Sequence, residues 1–166
     1  MPSYPVKLVL DDQPTSYDDP FLRYKTTERS VYDAARARPG ATLHPSPEPG
    51  APPFDTIMYN TKSEVTETTI ANVAFRFHHL GADSPFVTPA SSCGLLEGVK
   101  RAELLEKGDL IEDVITVEQI KEAAKVSGRV EVDTERRADL LRFTGEQSRR
   151  HLLQRCTRSV QGISVH

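Results

Sequence analysis

Glu64-Val65-Thr66-Glu67-Thr68-Thr69-Ile70-Ala71-Asn72-Val73 is the stretch on which the fold turns. Its Thr, Val and Ile content favours a strand, and Asn60-Thr61-Lys62-Ser63 before it supplies a turn. Phe54 to Asn60 and Val65 to Phe77 are therefore predicted to form a hairpin or a pair of strands. Period-two alternation puts Val65, Glu67, Thr69 and Ala71 on one face. An acid there belongs either to the wet face of a hairpin or to a buried face, where it needs a partner.

Working outward, Val6 to Leu10 reads as a strand, and the Asx and proline residues between Asp11 and Pro20 read as loop. Thr26-Thr27 offers N-cap chemistry ahead of Val31, Tyr32, Ala34 and Ala35, which recur at helical spacing until Pro39-Gly40 ends the run. Pro45, Pro47, Pro49, Pro52 and Pro53 make residues 41–53 an extended, exposed connector. Phe86 to Pro89 reads as a short strand, Ala90 to Gly98 as a loop, and Val99 to Lys107 as a helix closed by Gly108. Leu110 to Ile115 is another expected strand. Thr116-Val117-Glu118-Gln119 is a capping box opening a helix through Val126. The resulting class is α+β.

Residues 129–166 stand apart, with 8 Arg and no Lys and a net charge of +3. A helix from Thr134 to Arg155 is expected on Leu140, Leu141, Phe143, Leu152 and Leu153, and so few apolar anchors imply partial disorder.

The whole chain has 166 residues and balances 21 Lys+Arg against 24 Asp+Glu, a length for one domain or a little more. A formal charge of −3 gives no footing for a nucleic acid or an anionic membrane. No apolar run approaches the ~20 residues of a spanning helix, and Met1-Pro2-Ser3-Tyr4-Pro5 lacks signal-peptide order, so a soluble cytoplasmic protein is expected. Cys93 and Cys156 are too few for a disulfide framework or a zinc spacing. His78-His79 point to opposite faces of a strand, so no metal site is expected. Cys93 has no evident base beside it.

Two further segments can carry chemistry. Lys25 sits between Tyr24 and the positive end of a helix, where its ammonium is disfavoured. It is either a nucleophile or an ordinary surface charge. Gly94-Leu95-Leu96-Glu97-Gly98-Val99-Lys100-Arg101 runs from a glycine-containing loop into a helix, whose first N–H groups can hold a phosphate. Many loops end that way and bind nothing.

In this order, the segments resemble the fold-type IV, pyridoxal-phosphate-dependent class IV aminotransferase family, which includes branched-chain and D-amino-acid transaminases and 4-amino-4-deoxychorismate lyases. The likeness runs from Phe21 to Ala124. Phe21-Leu22-Arg23-Tyr24-Lys25-Thr26-Thr27-Glu28-Arg29 resembles the family's lysine segment, and Glu64 to Val73 its acid-bearing strand. Thr88-Pro89 followed by Cys93 to Arg101 is the third match. The resemblance implies the cofactor domain of a D-amino-acid-aminotransferase-like fold, with a mixed β-sheet or barrel and flanking helices. It implies that Lys25 forms a Schiff base with pyridoxal 5'-phosphate and shuttles the proton at substrate Cα. By the same resemblance Glu67 would face the pyridine nitrogen and keep it protonated, Leu96 would pack on the ring, and Gly98, Val99 and Lys100 would form the phosphate-binding helix start. Arg29 receives no role, and Asn72 is read as support for the strand turn.

Family members carry an N-terminal domain ahead of the lysine segment, which supplies part of the substrate pocket; here some twenty residues precede Lys25. The expected organisation is a remnant or linker at 1–20, the cofactor domain at 21–128 and a divergent tail at 129–166. By resemblance the chain is a transaminase or an aminodeoxychorismate lyase acting on a small amino-acid-like substrate, as a homodimer. A truncated, catalytically silent cofactor-binding domain is one alternative, and an unrelated α+β interaction module is another.

Overall fold

The computed structural model describes residues 7–16, 26–77, 84–127, 130–134 and 141–143. Among these described residues there are eight strands: β1 (Lys7–Leu10), β2 (Asp55–Tyr59), β3 (Val65–Thr68), β4 (Val73–Arg76), β5 (Phe86–Pro89), β6 (Leu110–Asp113), β7 (Val130–Thr134) and β8 (Leu141–Phe143). The helices are α1 (Ser30–Ala37), α2 (Val99–Glu106) and α3 (Val117–Ser127). All eight strands form one sheet in the order β3-β2-β1-β8-β7-β4-β5-β6. The pairs β1–β2, β1–β8 and β5–β6 are parallel, and the others are antiparallel.

Period-two alternation divides the core at β2, where neighbouring residues face opposite ways. Ile57 packs on one side with Leu8, Val65, Phe75, Ile115 and the α3 residues Ile120, Ala123 and Ala124. Met58 packs on the other with Tyr32 and Ala35 of α1, joined by Val31 and Leu96. Helix α3 thus covers one face of the sheet and α1 the other.

Local signals account for most boundaries. The expected capping box is in place: Thr116 N–H donates to Gln119 Oε1 at 2.7 Å, and Gln119 N–H to Thr116 Oγ1 at 3.2 Å. Gly108 follows α2 at φ +76°, the left-handed conformation a glycine accepts without strain. At the 60–63 turn, Lys62 N–H donates to Asn60 Oδ1 at 2.9 Å. Helix α1 begins later than Thr26-Thr27 suggested. Its first N–H, on Ser30, donates to Glu28 Oε1 at 2.8 Å, and the Ser30 hydroxyl first and this N–H second hold the Glu28 carboxyl below its usual range.

Two expectations are corrected. The ladder does not close into a barrel: among the described residues β3 and β6 are the sheet's edges, and a single bridge between Glu64 and Thr116 reaches across the gap. Val65 N–H donates to Ile115 O at 2.7 Å and Val117 N–H to Ser63 O at 2.9 Å, and α3 starts at Val117, capped by Thr116, so the pairing ends at that one bridge. The fold is an open mixed sheet with flanking helices. The helix expected from Thr134 is also replaced, since Val130–Thr134 and Leu141–Phe143 are strands that pair with each other and with β4 and β1. The short alternations Val130/Val132 and Leu141/Phe143 are strand patterns, masked in the sequence by the Arg bias around them. The rest of that expected helix lies outside the described residues, as do Cys156 and the His78-His79 pair.

Candidate active site

A β-bulge aims the acid. Ile57 pairs with Thr68 and Tyr59 with Val65, so Met58 alone stands opposite both Thr66 and Glu67. The extra residue breaks the alternation expected from sequence. Val65 stays in the α3-side core, while Glu67 meets Tyr32 of α1 on the Met58 side. Nor is this the wet face of a hairpin: Glu67 is 4% exposed. The Tyr32 hydroxyl donates to Glu67 Oε1 at 2.9 Å, and Leu96 N–H approaches the same oxygen at 3.4 Å. A buried carboxylate is costly unless its oxygens accept hydrogen bonds, and these two donors come from other elements.

Leu96 lies on the apolar cluster of Tyr32, Ala35 and Met58, next to the carboxylate. From there the chain reaches α2 through Glu97 and Gly98. Asn72 Nδ2 donates to Leu96 O at 2.7 Å, and Gly98 N–H donates to Asn72 Oδ1 at 3.0 Å. Asn72 therefore grips the approach to α2. The strand turn it was expected to support is held instead by Thr68, whose N–H and hydroxyl both donate to Ala71 O.

Gly98 is the N-cap of α2, with extended backbone and no side-chain cap. The first-turn N–H groups of Val99 to Arg101 have no intrahelical acceptor by the geometry of a helix. Val99, the first helical residue, is 88% exposed. The Lys100 ammonium turns back along its own helix to Glu103 Oε2 at 3.0 Å, so only its backbone is available at the helix start. Helix α2 is anchored from within by Arg101, whose buried guanidinium donates to Pro89 O at 2.8 Å and Glu112 Oε2 at 2.7 Å.

Arg29, given no role by the sequence, donates to Thr69 O at 2.5 Å and lies 4.7 Å over the Tyr32 ring. It ties the entry of α1 to the strand that carries Glu67. Arg29 was visible in sequence only as part of the lysine segment. Tyr32 gave no signal beyond its helical spacing. Cys93 is fully buried, and burial followed by the Glu64 charge pushes its thiol up. A cleft of about 240 Å³ between residues 13–16 and α1 does not include Glu67, Leu96, Asn72 or Gly98. Among the described residues no cluster of metal-ligating side chains and no helix long and apolar enough to cross a membrane is present. Lys25 lies outside the described residues.

Residues 2–127 match the model of the amino-transferase class IV family. The chain belongs to that family. An assigned aminodeoxychorismate lyase of Schizosaccharomyces pombe is 38% identical over 110 residues, covering 66% of this chain and 42% of that one. The crystal structure of an assigned amino-acid aminotransferase from Mesorhizobium loti superposes with a TM-score of 0.66 at 27% identity, over 87% of this chain and 62% of the other. The 4-amino-4-deoxychorismate lyase of Pseudomonas aeruginosa shares the fold at a TM-score of 0.58 and 19% identity, over 95% of this chain and 58% of the other. The class IV chain described here thus spans less than half the length of the yeast relative and about three fifths of each of those two structures.

The class IV family uses pyridoxal phosphate, and the residues present fit such a group. A buried acid suits a basic ring nitrogen, a side-chain-uncapped helix start suits a phosphate dianion, and Leu96 and Asn72 join the two.

Proposed function

We propose that this chain is a pyridoxal-phosphate-dependent class IV enzyme of the aminotransferase or 4-amino-4-deoxychorismate lyase type, acting on an amino-acid-like substrate. The observation that carries this reading is the burial of Glu67 beside the segment that opens α2, with Tyr32 and Leu96 N–H on its carboxylate. When bound, the cofactor supplies an electron sink for the charge that develops at substrate Cα.

In this reading Glu67 holds a proton on the ring nitrogen by direct charge pairing. Tyr32, fixed beneath Arg29, sets the plane of that carboxylate. Leu96 offers the ring an apolar contact, and Gly98 with the backbone N–H groups of Val99 and Lys100 receives the phosphate. Lys25 supplies the amine that holds the cofactor covalently and carries the proton at substrate Cα. The yeast relative's name supports the lyase branch, in which 4-amino-4-deoxychorismate gives p-aminobenzoate and pyruvate. Family likeness also supports a homodimer.

The test is to add pyridoxal phosphate to the purified chain, record the absorbance of the bound cofactor, reduce with borohydride and map the labelled peptide. The label is expected on Lys25; a label on another lysine removes that assignment, and absence of any label removes the reading. Assays with amino acids and with aminodeoxychorismate then separate transaminase from lyase. Labelling without turnover in either assay supports the silent cofactor-binding domain instead.

A further inference from the structure

We propose that Asn72 is the positioning residue that holds the phosphate end of the site at a fixed reach from Glu67; the inference rests on the pyridoxal-phosphate reading above. The carboxamide carries a donor and an acceptor side by side, and both are used on one short piece of backbone. Nδ2 donates to Leu96 O at 2.7 Å, and Oδ1 accepts from Gly98 N–H at 3.0 Å. Aspartate has the shape but no donor, and alanine has neither group. Asn72 is itself buried and follows Glu67 by five positions, just beyond the turn that leaves β3 and directly before β4, so the segment next to the acid-bearing strand also clamps the helix start. Leu96 N–H, pointing to Glu67 Oε1 at 3.4 Å, completes the link from the other side.

The surroundings isolate this role. The turn beside Asn72 is closed by Thr68 and Ala71 without it. The body of α2 is held by Arg101 on Pro89 O and Glu112. What Asn72 adds is a bridge from Leu96 O to Gly98 N–H that fixes the approach to Val99 and Lys100. By ordering that segment in advance it spares an incoming phosphate the entropy of ordering it, and the Gly98 N–H it occupies is kept from turning elsewhere.

The experiment compares pyridoxal phosphate with pyridoxal, which has the same ring and aldehyde but no phosphate. It is run on wild type, Asn72→Ala and the isosteric Asn72→Asp. Asn72→Ala is expected to raise the dissociation constant for pyridoxal phosphate about tenfold, the factor for losing one or two ordinary hydrogen bonds, and that for pyridoxal by a clearly smaller factor, because Leu96 is also held by its N–H contact to Glu67 and its packing on the Tyr32 cluster. Asn72→Asp, which adds a negative charge facing the same end, is expected to lose more, and it carries the comparison if the alanine variant does not fold. In parallel, inorganic phosphate is titrated while the amide resonances of Val99 and Lys100 are followed. Saturable shifts are expected in wild type and are weakened in both variants. Equal losses for the two cofactor forms, or none, overturn the proposal. If wild type binds neither form, the functional reading falls separately. The phosphate titration then decides the clamp: amide shifts absent from wild type, or undiminished in both variants, overturn it.

Discussion

The Tyr32 hydroxyl reaches Glu67 Oε1 at 2.9 Å across 35 positions of chain, joining the helix that follows the lysine segment to the bulged strand that carries the acid. Both side chains are buried. A hydrogen bond to a charged group contributes about 1.5–3 kcal/mol, so Tyr32→Phe, Glu67→Leu and the double variant should show a coupling of about that size in chemical unfolding. Tyr32→Phe alone should lower stability by about 1–2 kcal/mol, because the carboxylate stays buried with one donor fewer. Zero coupling would show that the contact contributes nothing in solution.

The features legible in the sequence are those decided within a few residues. The Thr116/Gln119 box, Gly108 behind α2 and the Asn60 turn are each set by local hydrogen bonding or by one backbone dihedral, and each is found where its residues predicted it. The bulge was illegible because it depends on the register with Ile57 and Tyr59, not on the alternation of β3 itself. The open barrel was illegible because it depends on how far the chain near Thr116 pairs with the distant Glu64 segment before α3 begins. At the site, Glu67 stood out by type and motif. Tyr32 and the true role of Asn72 did not, because their partners lie 35, 24 and 26 positions away.

The Arg101–Glu112 pair anchors α2 to β5 and β6, and its two ends are unequally buried: the Arg101 side chain is 4% exposed and that of Glu112 38%. Arg101→Ala should cost about 2 kcal/mol, below the 3–5 of a fully buried pair, because water still reaches Glu112 while Pro89 O loses its donor. The Ser91 N–H first, and Arg101 after it, hold the Glu112 carboxyl below its usual range. A depressed acid contributes stability that is complete above the unfolded value, about 4.3, and is lost as pH falls through the folded value. Unfolding measured from pH 6 downward should therefore show a loss that Glu112→Gln flattens. An unchanged acid slope in that variant would remove Glu112 from the account.

Arg38 pairs with Asp11 through two hydrogen bonds, Nε donating to Oδ1 at 2.7 Å and Nη2 to Oδ2. The Asp11 side chain is fully buried and the Arg38 side chain 23% exposed, so the two truncations should differ. Arg38→Ala strands a buried carboxylate and should cost about 3 kcal/mol. Asp11→Ala leaves a guanidinium that can turn to water and to Asp12, 3.4 Å away, and should cost about 1 kcal/mol. Equal costs would show that burial does not govern this pair.

Cys93 lies at the end of the 3₁₀ turn Ser91–Cys93, fully buried, its thiol pushed up chiefly by desolvation. Only the thiolate attacks a disulfide reagent, and both burial and the raised value suppress it. In a Cys156→Ser background, reaction of Cys93 with an aromatic disulfide at pH 8 should proceed only through opening of the turn. For an opening of about 3 kcal/mol the rate falls about a hundredfold below that of the unfolded chain. Denaturant below the unfolding midpoint should accelerate it, and Arg101→Ala, which loosens α2 and the Glu112 contact with Ser91 N–H, should do the same without denaturant. A rate in buffer equal to that of the unfolded chain would mean that Cys93 is accessible and that the 91–94 turn does not bury it.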